Sequence, residues 1–266
     1  MLTVGSGISI GPGIRLSTGT LTGSLLFTNS NITNYTQFLY TTANSGYSYV
    51  EPSLGTGAFT VELWINLSLN DLNRRLILAK YGSTSYEYYL DIFNGSIYWT
   101  QYTTSSGISN MVSATITNNQ WHHLAIVSTG NPSGTTTMYI DGVNVSSTTN
   151  RSTPTNATGA TFSIGQSLNM GDNAVRGYLS NIRIVKGVAV YTSNFTPSTH
   201  DLTDTQSANV NGSPSAAISS GQTLILMNTP DSNDYIKNTS SYYNNIVMRQ
   251  YSYNTSNVAQ SSNRPF

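Results

Sequence analysis

Apolar and polar residues alternate along most of this chain in runs of about 5 to 8 residues, broken by clusters of Gly, Asn, Ser and Pro. That is the pattern of short, half-buried strands. In "FTVELWINL", Phe59, Val61, Leu63 and Ile65 fall on one face and Thr60, Glu62 and Trp64 on the other, because successive strand side chains point to opposite sides. "YEYYLDIFNGSIYWTQY" reads as two strands joined at Asn94-Gly95, and "MYIDGVNV" repeats the device at Asp141-Gly142. Both dipeptides tolerate the positive φ that a tight hairpin demands. In the first hairpin, Tyr86, Tyr88, Leu90, Ile92, Ile97 and Trp99 are expected to face a core. Glu87, Tyr89 and Asp91, with Tyr98, Thr100 and Tyr102, are expected to face out. No amphipathic helix longer than a turn or two emerges, so the expected fold is all-β, an antiparallel β-sandwich.

Length adds that 266 residues, 38% of them hydrophobic, suffice for one large core. Charged residues are only 8%, and 11 Lys and Arg balance 11 Asp and Glu. No basic footprint for nucleic acid or for an acidic membrane surface is present, and neither is expected as a partner. With no cysteine there is no disulfide and no thiolate for a metal. The opening "MLTVGSGISIGPGIRL" lacks a basic stretch followed by an apolar core, and no apolar run approaches the ~18 residues of a membrane span, so a secretory route is not expected.

Candidate chemistry is sparse. An outward row of Tyr89, Tyr98 and Tyr102 is a surface on which the apolar face of a sugar ring could stack, which makes these three the glycan-binding candidates. In "QWHHLAIV", His122 and His123 point to opposite sides of one strand and cannot readily share a metal. No spacing implies a carboxylate beside either, so both are read as supports of a buried strand, with Leu124 and Ile126 on its core face. Glu87 and Asp91, placed on one outward face, would stand ~13 Å apart by strand rise, too far for either glycosidase mechanism. "GSGISIGPG" lacks the strand-to-helix setting of a phosphate loop. Asp172 and Asn173 in "NMGDNAVRG" are weak calcium candidates whose ordinary reading is a polar turn. No catalytic residue, metal or cofactor is expected.

Several segments together carry a resemblance. "AFTVELWINL", "QWHHLAIVSTG", "TMYIDGVNV", "FSIGQS" and "GYLSNIRIVKGVAVY" follow one another in the order seen in laminin-G-like, concanavalin A-like lectin/glucanase domains. The resemblance covers one domain from about Ser24 to the C-terminus and implies a jelly-roll sandwich in which Trp121-His122-His123 and the Asp141-Gly142 hairpin are structural. Further on, "SNIRIVKGVAVYTSNFTPST", "QTLILMNT" and the closing "NRPF" resemble the variant of this domain found in virion structural proteins of tailed bacteriophages. That implies pairing of Ile182–Val185 inside a sheet, with Phe195 and Pro197 pinning the loop that follows.

The chain is therefore divided into residues 1–22, a Gly-rich N-terminal β arm, and residues 23–266, the sandwich domain. Leu2, Val4, Ile8, Ile10 and Ile14 alternate with Gly and Ser, too few apolar groups for a core of their own, and suit a strand added to another protein's sheet. The leading expectation is a non-enzymatic structural protein on a phage virion surface, a capsid decoration, head fibre or tail appendage with weak glycan adhesion, assembled in the host cytoplasm. Its partners are other virion proteins through the arm, host surface glycan, and further copies of itself in a trimer, although no heptad repeat forces one. The second reading is a glycan-binding receptor module of a tail fibre; the third is a polysaccharide-degrading enzyme.

Overall fold

The computed structural model describes residues 24–27, 38–42, 52–68, 72–82, 85–103, 107–150, 153–157, 160–166, 173–228, 235–237, 247–251, 258–261, 263 and 265. The arm candidates Leu2, Val4, Ile8, Ile10 and Ile14 lie outside these residues, as does Asp172. Asn173 opens a two-residue strand beside Arg75.

The strands are β1 (Ser24–Phe27), β2 (Phe38–Thr42), β3 (Phe59–Leu67), β4 (Arg75–Tyr81), β5 (Tyr86–Phe93), β6 (Ser96–Thr103), β7 (Gly107–Thr115), β8 (His122–Ser128) and β9 (Thr135–Ile140). They continue as β10 (Val143–Thr149), β11 (Thr161–Ile164), β12 (Asn173–Ala174), β13 (Gly177–Lys186), β14 (Thr223–Met227), β15 (Tyr235–Lys237), β16 (Val247–Tyr251) and β17 (Val258–Ser261). One sheet, called A here, runs β10-β9-β8-β3-β13-β1-β17, with β14 sharing the β1 edge of β13. The other, sheet B, runs β15-β16-β2-β11-β4-β5-β6-β7, with β12 parallel to the start of β4. All other pairings are antiparallel, as the expected sandwich requires.

The two sheets meet over one apolar core. Sheet A contributes Phe59, Val61, Leu63, Ile65, Leu124, Ile126, Leu179, Ile182 and Ile184; sheet B contributes Leu78, Tyr88, Leu90, Ile97, Trp99 and Phe162. Trp99 stacks on Tyr88 with centroids 5.3 Å apart and meets Phe59 at 5.8 Å. Both hairpins have the expected turns: Asn94 and Gly95, and Asp141 and Gly142, all have positive φ.

Bulges reset which side chains face the core, and two of them decide where charged residues go. On β13, Ser180 pairs with Trp64 and Arg183 with Glu62, so that Asn181 and Ile182 oppose Leu63 alone, and the extra residue is Asn181 at φ 48°. On β5, Tyr88 pairs with Lys80 and Tyr86 with Tyr81, which leaves Glu87 as the extra residue. The expectation that Tyr86 faces the core and Glu87 faces out is therefore reversed. Tyr86 joins Tyr81 on the outer face, while Glu87 turns in to an ion pair with Lys80 at 2.7 Å, both side chains at 0% exposure. The remaining acceptors of Glu87 take the Leu54 N–H at 2.8 Å and the Ser53 hydroxyl at 2.9 Å.

Candidate functional site

The two outer faces of the sandwich differ in kind. Residues 187–222, between β13 and β14, form a strap across the outer face of sheet A. Gly187 N–H donates to Ala58 O, and the Thr60 hydroxyl donates to Val188 O while accepting from Val190 N–H. Phe195 lies flat on Tyr191, centroids 3.6 Å apart, and meets His123 and Tyr139 edge-on. Phe195 N–H donates to Gly142 O, and Asn194 accepts from Asn144 N–H, so the strap is tied to the Asp141-Gly142 hairpin. Phe195 thus pins the loop as the resemblance implied, against the hairpin and the outer side of β8.

Under the strap lies a buried polar network. Glu62, fully buried, takes Arg183 Nε at 2.8 Å and Nη2 at 2.6 Å on Oε1, with the Tyr191 hydroxyl at 2.8 Å and His123 Nε2 at 3.3 Å on Oε2. Burial pushes this carboxyl up, but the charge of Arg183 and the His123 contact outweigh it and hold it down at about 2. Burial pushes the Tyr191 hydroxyl well up, and the Glu62 charge adds to that. A carboxyl lowered on folding stabilises the fold above its ordinary 4.5 and loses that contribution as pH falls towards about 2. Urea unfolding followed from neutral pH into acid is expected to show a loss of about 3 kcal/mol across that window, and Glu62→Gln should remove that part of the slope.

His122, on the far side of the same strand, is half-buried. Its Nδ1 lies 2.7 Å from Asp141 Oδ2 and its Nε2 2.6 Å from the Thr117 hydroxyl. Asp141 Oδ1 accepts from His123 N–H, and Asp141 N–H donates to His123 O. Each histidine therefore has a carboxylate that spacing did not imply. A hydroxyl, an imidazole and a carboxylate in line can move a proton; here the same atoms also close the β9–β10 turn onto β8. Neither histidine shares a ligand set with the other.

The outer face of sheet B carries a plate of tyrosines. Tyr81 and Tyr86 lie 4.3 Å apart, Tyr86 and Tyr102 5.2 Å, Tyr81 and Tyr102 6.0 Å, all half-buried. Tyr89 packs beside Tyr81 and Tyr102 over Leu76 and Ala79. At 4% exposure it supports the plate and does not present a ring to solvent. Arg74 lies over both Tyr89 and the exposed Phe93 at 5.8 Å and reaches Asp91 at 3.1 Å. Tyr98 is half-buried opposite Asp91. Burial first, then a hydrogen bond with the Tyr81 hydroxyl, pushes the Tyr102 hydroxyl up. Tyr98 and Tyr102 thus stand on the expected face, Tyr81 and Tyr86 join it unforeseen, and Glu87 and Asp91 do not share a face. The one available signal was Lys80: alternation in β4 puts it on the core side with Leu78, where a charge needs a buried partner.

A family described as the concanavalin A-like lectin/glucanases superfamily matches residues 18–190. Sheet A continues past that match in β14 and β17, and most of the strap also lies beyond it. A Bacteroides ovatus protein inferred to bind carbohydrate is similar in structure, with TM-score 0.60 and 15% identity over 91% of this chain and 60% of that one. Domains LG4-5 of the mouse laminin alpha1 chain align with TM-score 0.44 and 11% identity over 80% of this chain and 48% of that one. The receptor-binding domain of botulinum neurotoxin type G aligns with TM-score 0.39 and 15% identity over 48% and 34%. The chain thus spans 60% or less of the length of each of these structures. No curated protein matches it in sequence.

Proposed function

This chain belongs to the concanavalin A-like lectin/glucanase superfamily, and from that premise we propose that it is a non-enzymatic structural protein exposed on a phage virion, adhering to glycan through the tyrosine plate. The observation that carries the adhesive part is the contrast between the two outer faces. Sheet A is sealed by its own strap, while sheet B offers half-buried rings of Tyr81, Tyr86, Tyr98 and Tyr102, with Arg74 over the buried Tyr89 on the same face. Stacking on tyrosine recognises the apolar face of a pyranose, and neighbouring hydroxyls and a guanidinium supply its polar contacts.

Binding rather than catalysis is favoured by the state of the carboxylates. Glu62 and Glu87 are buried in ion pairs, and Asp91 is buried against Arg74. A glycosidase needs two carboxylates flanking the scissile bond, with one able to hold a proton near neutrality. The virion assignment rests on the "NIRIVKGVAVYTSNFTP" resemblance, and residues 1–22 are the proposed attachment to neighbouring virion proteins. A receptor module at the tip of a tail fibre is the second reading, favoured by the same plate.

Gold-labelled antibody against residues 24–266 on purified phage particles is expected to decorate them, over the head for a decoration and at the tail for an appendage. Absence of label, together with absence of the protein from particle mass spectra, overturns the virion reading. Tyr98→Ala with Tyr102→Ala is expected to weaken binding to host surface polysaccharide at least about tenfold, the loss of one stacked ring or more. Unchanged binding overturns the plate.

A further inference from the structure

Within the strap, where it folds over Arg183 of β13, the structure holds a cavity of ≈ 50 Å³ with mixed polar and apolar walls. Its lining includes Arg183, Asp201, Leu202, Thr203, Gln206 and Val210. None of the plate residues on sheet B takes part. Arg183 is 1% exposed. A guanidinium carries five N–H donors, and Arg183 makes two in-line hydrogen bonds, Nε to Glu62 Oε1 and Nη1 to Thr203 O. Nη2 approaches Glu62 Oε1 to 2.6 Å as an ion pair without an in-line hydrogen bond. Arg183 carries N–H groups beyond these three contacts, and a buried donor left unmet is costly, so the cavity beside it favours an occupant that accepts hydrogen bonds.

Charge narrows the class. Glu62 already balances Arg183, and Asp201 adds a carboxylate to the lining, so an anion is disfavoured and a neutral acceptor is preferred. Size narrows it further. With roughly 10–15 Å³ of such volume per water, the space suits about four small heavy groups, which is a substituent and not a whole sugar. The walls are mixed: Leu202 and Val210 are apolar, Arg183 donates, and Asp201 and Gln206 can accept. An acetamido group has that composition, a carbonyl oxygen, an N–H and a methyl.

We infer that this cavity takes the acetamido group of an N-acetylated sugar, with its carbonyl on Arg183, its N–H towards Asp201 or Gln206, and its methyl against Leu202 and Val210. The inference rests on the reading that the domain contacts glycan, and it adds a second, separate contact on the opposite face.

The test is saturation-transfer NMR and titration calorimetry of the full chain with N-acetylglucosamine and, in parallel, glucose. The acetyl methyl protons are expected to receive the strongest transfer, with glucose bound at least about tenfold more weakly, as the loss of one hydrogen-bonded group implies. Val210→Trp, which fills the cavity, should remove the preference, whereas Tyr98→Ala with Tyr102→Ala should leave it. Equal binding of the two sugars, or none, overturns the inference; that comparison on the native chain decides even if Val210→Trp does not fold. Loss of polysaccharide binding in the tyrosine variant alongside equal binding of the two sugars means that the plate stands and the cavity fails. An N-acetyl preference with polysaccharide binding unchanged in the tyrosine variant means the reverse.

Discussion

Arg183→Ala is expected to cost the fold about 3–5 kcal/mol, because it leaves the Glu62 carboxylate at zero exposure without its cation. The expense of burying that charge remains after its main compensation is gone. Only the Tyr191 hydroxyl and His123 stay beside it. The Thr203 carbonyl loses its donor at the same time. Urea unfolding at neutral pH should show the loss as a lowered midpoint at unchanged slope. Glu62→Met combined with Arg183→Met is expected to recover most of it, since a buried pair replaced by apolar groups of similar volume is often neutral. Recovery should stop short of complete, because Tyr191 then lacks an acceptor. A loss below about 1 kcal/mol for Arg183→Ala would mean that the network is wetter and weaker than its geometry implies.

Gly142→Ala should be nearly as damaging, by about 2–4 kcal/mol, for a different reason. Gly142 has φ +78°, and a Cβ there would sit 1.8 Å from the Phe195 carbonyl oxygen. Backbone stands in the way, so relief requires the strap to lift off the hairpin. Limited proteolysis is expected to cut the variant within residues 188–203, and hydrogen exchange of the Phe195 amide should quicken. Gly212→Ala is the control. Its φ of +73° is equally left-handed, yet nothing lies within 4 Å of the added carbon, so it should cost only about 1 kcal/mol. If the two variants behave alike, strain and not collision explains the first, and the strap is not held by close packing on the hairpin.

Both experiments probe something that local pattern reading reached only in part. The face assignment in "FTVELWINL" was correct residue by residue, since Phe59, Val61, Leu63 and Ile65 are core and Glu62 points away from it. What alternation could not convey is that the far face is also buried. Thr60 and Glu62 are fully covered because a strap some 130 residues later in the chain closes over them. The match for Glu62 is visible only when β13 lies beside β3, and only because the extra residue Asn181 turns Arg183 outward. Tyr86 and Glu87 were misplaced for the same kind of reason: one bulged residue on β5 inverts every side chain beyond it.

The sequence by itself determined the class of the fold, the two Gly hairpins, the principal core faces and the family resemblance. These depend on period, turn chemistry and order along the chain, all of which are local properties of residues and their neighbours. Only the tertiary structure decided where the charges lie, that Tyr81 and Tyr86 complete the plate while Tyr89 is buried beneath it, and that a cavity forms beside Arg183. Burial of a polar group and the partner that stabilises it are set by strands far apart in sequence, and bulges alter strand phase without changing composition.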